Sequence, residues 1–148
     1  MINNFMELKF KALSINEGFA RTCVSAFCLE LNPTLEELND IKTSVSEAVT
    51  NCVVHAYPNR MGDIVITTHI DENSVTISVK DDGIGITNYE QARLPFYTTK
   101  LDSERSGMGF AVMESFMDSV TLEKNGDKGL KVTMRKVLGK IPSEAIGG

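Results

Sequence analysis

Residues 64–86 read Ile64-Val65-Ile66-Thr67-Thr68-His69-Ile70, Asp71-Glu72-Asn73, Ser74-Val75-Thr76-Ile77-Ser78-Val79-Lys80, then Asp81-Asp82-Gly83-Ile84-Gly85-Ile86. Two β-branched, alternating runs flank a polar turn, which is the pattern of a β-hairpin. The second run leads directly into a glycine loop. Strands that follow one another as hairpins, with no helix between them, point away from repeated β-α-β units and toward an α+β fold.

Working outward, Glu7 to Lys11 alternates as a half-buried strand and opens the fold. Ser14 and Glu17 have capping-box spacing, so a helix is expected from there through Leu31, with Phe19, Cys23 and Phe27 as its apolar stripe. Asn32-Pro33 stops it. Thr34 and Glu37 supply a second capping box, opening a long helix that runs to about Ala56. After the hairpin, residues 81–107 are mostly polar, with glycines and Pro95, and read as a loop with at most a short helix near Asn88 to Ala92. A loop this long in a small domain is usually a functional lid or disordered. Gly109 to Met117 reads as a helix, and Ser119 to Lys124 and Leu130 to Val137 as strands about an Asn125-Gly126-Asp127 turn. The order is β-α-α-β-β-loop-α-β-β. It predicts a two-layer α+β sandwich, a mixed and mostly antiparallel sheet with helices on one face, in a single domain over 1–139 with a frayed tail over 140–148.

At 148 residues and 42% hydrophobic content the chain can bury one core. No signal peptide or membrane span is visible, so a soluble, cytoplasmic protein is expected. A formal charge of −5 argues against a nucleic-acid surface. Cys23, Cys28 and Cys52 fit no zinc spacing and read as core thiols.

Three motifs carry chemistry. Glu47, Asn51 and His55 are four residues apart, so on a helix they form one ridge. A solvated face is the plain alternative. The apolar neighbours Val45, Ala48, Val49, Cys52 and Val53 favour instead a mostly buried helix whose polar groups must be paired or bound. A carboxamide oxygen at Asn51 suits magnesium, and Glu47 could serve as a general base. Asp81 ends a strand, where a buried carboxylate can accept a hydrogen bond from an exocyclic amine such as that of adenine, with Gly83 and Gly85 permitting close approach. An ordinary Asp-Gly turn is equally compatible. Gly107 and Gly109 precede a helix whose free N–H groups favour phosphate, beside the cations Lys100 and Arg105, which could otherwise be solvated loop charges. No Walker loop occurs.

Glu-Ala-Val-Thr-Asn-Cys-Val-Val-His-Ala-Tyr (47–57), Asp-Asp-Gly-Ile-Gly-Ile (81–86), Pro-Phe-Tyr-Thr-Thr-Lys (95–100) and Arg-Ser-Gly-Met-Gly-Phe (105–110) resemble, in order, the N box, first glycine box, phenylalanine box and second glycine box of the GHKL ATPase/kinase superfamily. Further blocks over 16–21, 41–51 and 106–118 are similar to the anti-sigma factor serine kinases of sporulating Gram-positive bacteria.

The resemblance implies a Bergerat-type ATP-binding fold, ATP/ADP and Mg2+ as cofactors, and a cytoplasmic homodimer. It implies Glu47 as catalytic base, Asn51 as magnesium ligand and Asp81 as adenine reader. His55, Gly83, Gly85, Ser106, Gly107, Met108 and Gly109 would line the nucleotide pocket. Thr98, Thr99, Lys100 and Arg105 would form the lid over the phosphates, with Arg105 assisting transfer. The implied partners are a sporulation sigma factor of the sigma F type, held inactive, and a small STAS-type anti-anti-sigma protein phosphorylated on serine. Arg21 is the candidate partner contact, an ordinary exposed arginine being as compatible. One departure is visible: the family usually carries Gly-Thr before its last strand, whereas Gly129 is followed here by Leu130.

A nucleotide-gated module that sequesters a transcription factor without catalysis is the rival, and Glu47 is what such a module would not need. A stress-response anti-sigma kinase would differ only in partner. A histidine-kinase catalytic domain is disfavoured, since His55 and His69 are the only histidines.

Overall fold

The computed structural model describes residues 3–58, 60–85, 109–126 and 128–139. Five strands form one sheet in the order β1-β2-β3-β5-β4, with β1 Asn3–Lys11, β2 Asp63–Asp71, β3 Ser74–Asp81, β4 Ser119–Glu123 and β5 Lys131–Val137. The helices are α1 Asn16–Cys28, α2 Leu35–Asn51 and α3 Gly109–Phe116. Every described pairing is antiparallel, so the expected mixed sheet is, among these residues, purely antiparallel. The connections explain it: β2–β3 and β4–β5 are hairpins, and β5 returns beside β3.

Register places Leu8, Ile66 and Val79 in line, and Val79 opposite Val132. These belong to one apolar face, completed by Ile64, Ile70, Val75, Ile77, Met134, Val120 and Leu122, all buried. The other face is polar, as where Ser78 Oγ lies 3.2 Å from Thr133 Oγ1. Ala20, Val24 and Cys28 of α1, Ile41, Val45, Ala48 and Val49 of α2, and Phe110 and Met113 of α3 join the same core. The result is the two-layer α+β sandwich expected from the element order.

Four local expectations change. The first strand begins at Asn3, because β1 pairs with β2 along its whole length. The Ser14 capping box does not form: α1 starts after Ile15 without a side-chain cap, and the Glu17 carboxylate bonds Arg21 and Ser46 Oγ instead. The buried stripe of α1 is Ala20, Val24 and Cys28, one residue on from Phe19, Cys23 and Phe27. Phe19 is 50% exposed and packs edge-on against Phe10. Finally, α2 ends at Asn51 and continues as a π-helical segment over Cys52–Ala56.

The Thr34 box does form. Glu37 N–H donates to Thr34 Oγ1 at 3.0 Å, and Thr34 N–H to Glu37 Oε1 at 2.9 Å. Glu37 Oε2 also accepts Gly139 N–H at 3.0 Å, and Lys136 of β5 pairs with Asp40 at 3.4 Å, so the start of α2 is tied to the end of β5. Thr34→Ala is expected to lose about 1 kcal/mol, a fall of roughly 4 °C in Tm. Thermal unfolding by circular dichroism checks this, and an unchanged melting curve would show that the cap contributes no stability.

Candidate functional site

Glu47 and Asn51 lie one turn apart on α2, and both face the start of α3. A Cβ built on Gly109 would sit 3.0 Å from Glu47 Oε2 and 3.4 Å from Asn51 Nδ2. Glycine there lets the N-terminus of α3 come up against both side chains. The Asn51 Nδ2 is buried with no hydrogen-bond partner among the described residues. An unpartnered buried amide is costly in a finished core and is the expected condition of a group awaiting a ligand. His55 belongs to the π segment that continues α2.

Asp81 is the last residue of β3 and points to the apolar face, 4% exposed. Its Oδ1 accepts Gly83 N–H at 2.9 Å and Leu130 N–H at 3.3 Å, and its Oδ2 lies 3.4 Å from Cys52 Sγ, which donates. Its own N–H donates to the Leu130 carbonyl at 3.0 Å, and Asn125 Nδ2 donates to its carbonyl at 2.9 Å. Burial pushes the Asp81 carboxyl above its ordinary pKa, against the pull of those donors. Burial also raises the Cys52 thiol, aided by the Asp81 charge, so Cys52 stays protonated.

The glycine loop is stitched to the π segment. Ile84 N–H donates to the Ala56 carbonyl at 2.9 Å, and a Cβ on Gly83 would fall 2.0 Å from that same oxygen, so only glycine fits. Gly85 has φ +75°, a left-handed conformation that glycine adopts freely.

Leu130 follows Gly129 at the departure noted above, where the resemblance implies a threonine. Its N–H reaches Asp81, but it brings no hydroxyl. Thr133 does not replace that hydroxyl, since it lies on the polar face beside Ser78.

Sequence reasoning passed over Tyr57. Its hydroxyl lies 2.6 Å from the Asp63 carbonyl and 2.8 Å from Asp82 Oδ1, which share its one hydrogen, and it accepts Asp82 N–H at 2.9 Å. Burial raises the phenol pKa, and the bond from the phenol holds the Asp82 carboxyl below its ordinary range. Arg60 stacks on the ring at 4.8 Å, and Gly62 leaves the ring its space. The signal available in the sequence was Gly62 itself, a glycine five residues after Tyr57 in the short connection between α2 and β2. A cavity of about 490 Å³ opens here, lined by Tyr57, Arg60, Asp82, Gly83, Ile84 and Lys128 among others. Arg21, the candidate partner contact, is paired with Glu17. Thr98, Thr99, Lys100, Arg105, Ser106, Gly107 and Met108, the short helix near 88–92 and the tail over 140–148 lie outside the described residues.

Gly109→Ala tests the convergence. Alanine favours a helix interior by about 1 kcal/mol over glycine, a gain that is smaller at the start of a helix and is opposed here by the 3.0 Å approach to Glu47 Oε2, so stability should change little. Its methyl would press on Glu47 and Asn51, and nucleotide-dependent activity should fall by roughly tenfold or more. Unchanged activity would mean that the three groups do not work together.

Residues 13–136 match the family described as the histidine kinase-like ATPase domain. The chain belongs to this family, a class of nucleotide-binding ATPase and kinase domains. Within it, the chain is 54% identical to the anti-sigma F factor of Caldanaerobacter subterraneus subsp. tengcongensis over 138 residues, covering 93% of this chain and 96% of that one. It is likewise 54% identical to the anti-sigma F factor of Clostridium acetobutylicum over 141 residues, 95% of this chain and 99% of that one. Among solved structures, the RsbU and RsbW domains of Rv1364c from Mycobacterium tuberculosis align with a TM-score of 0.65 at 18% identity, over 91% of this chain and 32% of that one. The catalytic domain of histidine kinase ThkA aligns with a TM-score of 0.57 at 18% identity, over 91% of this chain and 96% of that one. These two likenesses establish the fold and nothing finer. Among the described residues, no helix is long and apolar enough to cross a membrane.

Proposed function

We propose that this chain is an anti-sigma factor that holds a sigma factor of the sigma F type inactive and, as an ATP- and magnesium-dependent protein-serine kinase, phosphorylates the STAS-type protein that would release it. The observation that carries the catalytic half is the meeting of Glu47, Asn51 and Gly109 at the start of α3. A binding module has no use for a carboxylate there. The identity of 54% over nearly the full chain supports the anti-sigma half.

The residues present fit both cofactors. The buried Asn51 carboxamide lacks a partner for its Nδ2, and no group of three or more His, Cys, Asp or Glu that could hold a metal occurs among the described residues. Asn51 would hold magnesium through its Oδ1, together with water and phosphate oxygens, while the unpartnered Nδ2 is a donor suited to a phosphate oxygen. Bound magnesium supplies neutralisation of phosphate charge. Asp81 would accept the adenine amine, the free N–H groups at the start of α3 would face phosphate, and Lys100 and Arg105 would stabilise charge on the transferring group. Glu47 would accept the serine proton as the phosphorus–oxygen bond forms.

Of the eight exposed large apolar residues among the described ones, five, Phe5, Leu13, Ile15, Phe19 and Leu29, lie on or beside β1 and α1, and Leu35, Met61 and Ile84 lie elsewhere. We infer a homodimer formed through β1 and α1, in the cytoplasm, with Arg21 at a partner-facing edge.

The test is to incubate the protein with labelled ATP, magnesium and the STAS-type protein from the same source. Stable phosphoserine on the latter is expected. ATP binding without transfer would sink the kinase, and nucleotide-dependent capture of the sigma factor would then favour the gated module. Transfer to a stress-response STAS protein in preference to the sporulation one would reassign the partner.

A further inference from the structure

We propose that Cys52 is a specificity-determining positioning residue: its thiol occupies the one oxygen of Asp81 left for an incoming base and yields it to an exocyclic amine. The proposal rests on the reading of Asp81 as the base-recognising group.

Asp81 Oδ1 is held by two main-chain N–H groups, from Gly83 and Leu130. Both donors are anchored in the backbone, Leu130 through its reciprocal bond with Asp81 N–H, so the plane of the carboxylate is set without any ligand. Oδ2 is the remaining oxygen, and its donor among the described residues is Cys52 Sγ at 3.4 Å. Both residues are buried, at 2% and 4% exposure, so an unpaired Oδ2 would be a desolvated charge.

A thiol is a weak donor. It is enough to keep the carboxylate from standing bare in the free protein, and weak enough to be displaced by an amino N–H at little cost. A hydroxyl in the same place would hold Oδ2 harder, and a methyl would not hold it at all. Cys52 opens the π segment, an irregularity that commonly marks functional positions, and the carbonyl at the end of that segment pairs with Ile84 of the glycine loop. Cys28, equally buried, shows the contrast: burial alone pushes its thiol up to about 12, with no carboxylate acting on it among the described residues. A buried cysteine is ordinarily a small apolar filler, and this one touches the Asp81 carboxylate on the apolar face.

The experiment measures the affinity of the magnesium complexes of ATP and of purine riboside triphosphate, which lacks the 6-amino group, for the full chain and for Cys52→Ser and Cys52→Ala. The quantity read is the preference for ATP over the analogue, which cancels losses of folding stability common to both ligands. The parent should prefer ATP. Cys52→Ser should reduce that preference by about fivefold, the difference between displacing an ordinary hydrogen bond and a weak one. Cys52→Ala should raise it, because Oδ2 then waits unpaired. Variants that change both affinities in parallel, leaving the preference as it was, would overturn the proposal and make Cys52 a packing residue. A parent that binds both ligands equally, or neither, would overturn the reading of Asp81 or of the nucleotide site, and this proposal with it.

Discussion

Replacing Glu47 with glutamine should lower phosphotransfer by roughly 10³-fold while leaving ATP affinity nearly unchanged. The change is isosteric, so the close approach of the side chain to Gly109 survives, and so does the Asn51 carboxamide one turn further along α2. What is lost is the capacity to take a proton from the serine hydroxyl. Single-turnover transfer from labelled ATP gives the rate, and displacement of a fluorescent nucleotide gives the affinity. A variant that transfers at the parental rate would remove Glu47 from the role of base. One that loses ATP affinity to the same extent as rate would place it in binding.

Replacing Asp81 with asparagine should weaken ATP binding by about 100-fold, since an amide N–H then faces the adenine amine and a charge-assisted hydrogen bond is gone. The fold should stand. An amide oxygen can still accept from Gly83 and Leu130, and the core around β3 is otherwise untouched. The effect on stability has a definite sign. Burial raises the Asp81 pKa in the folded state above its unfolded value, near 3.9. The folded protein therefore holds its proton longer, and parental stability falls as pH rises through that window. Asparagine carries no such proton. The Tm of the variant relative to the parent should thus be least favourable near pH 4 and improve as pH climbs through the raised value. A Tm difference that is flat with pH would mean that the carboxylate is not strained by its burial, and an Asp81→Asn protein that binds ATP as the parent does would end its role in base recognition.

What could be read in the sequence follows the range of the forces involved. The β2–β3 hairpin and the Thr34 box are decided within a few residues, by alternation about a polar turn and by a threonine and a glutamate in reach of each other's backbone. The Ser14 box has the same local pattern and fails because Ser46 and Arg21, from outside the pattern, take the Glu17 carboxylate. The first strand is longer than its alternation suggested because β2 supplies partners back to Asn3. Ala20, Val24 and Cys28 line the core ahead of the bulkier Phe19 because small side chains suit helices that pack closely. In the site, Glu47 and Asn51 were legible as a pair because one helix carries both. Their approach to Gly109 depends on how α2 and α3 pack, which no local signal encodes. The π segment, the Cys52–Asp81 bond and the Tyr57–Asp82 bond depend in the same way on neighbours distant in the chain.

The tie between the start of α2 and the end of β5 has a consequence for how this chain can vary in length. Thr34, Glu37 and Asp40 fix one end of α2 against Gly139 and Lys136, and Glu47 and Asn51 are counted off from that fixed end. One residue added or removed between Asp40 and Glu47 would turn the site groups by about 100° and shift them by about 1.5 Å along the axis. Substitutions in that stretch can be absorbed, but a change in residue count cannot. The turn at 71–74 carries no such count, and insertions among relatives should collect there and spare 40–51.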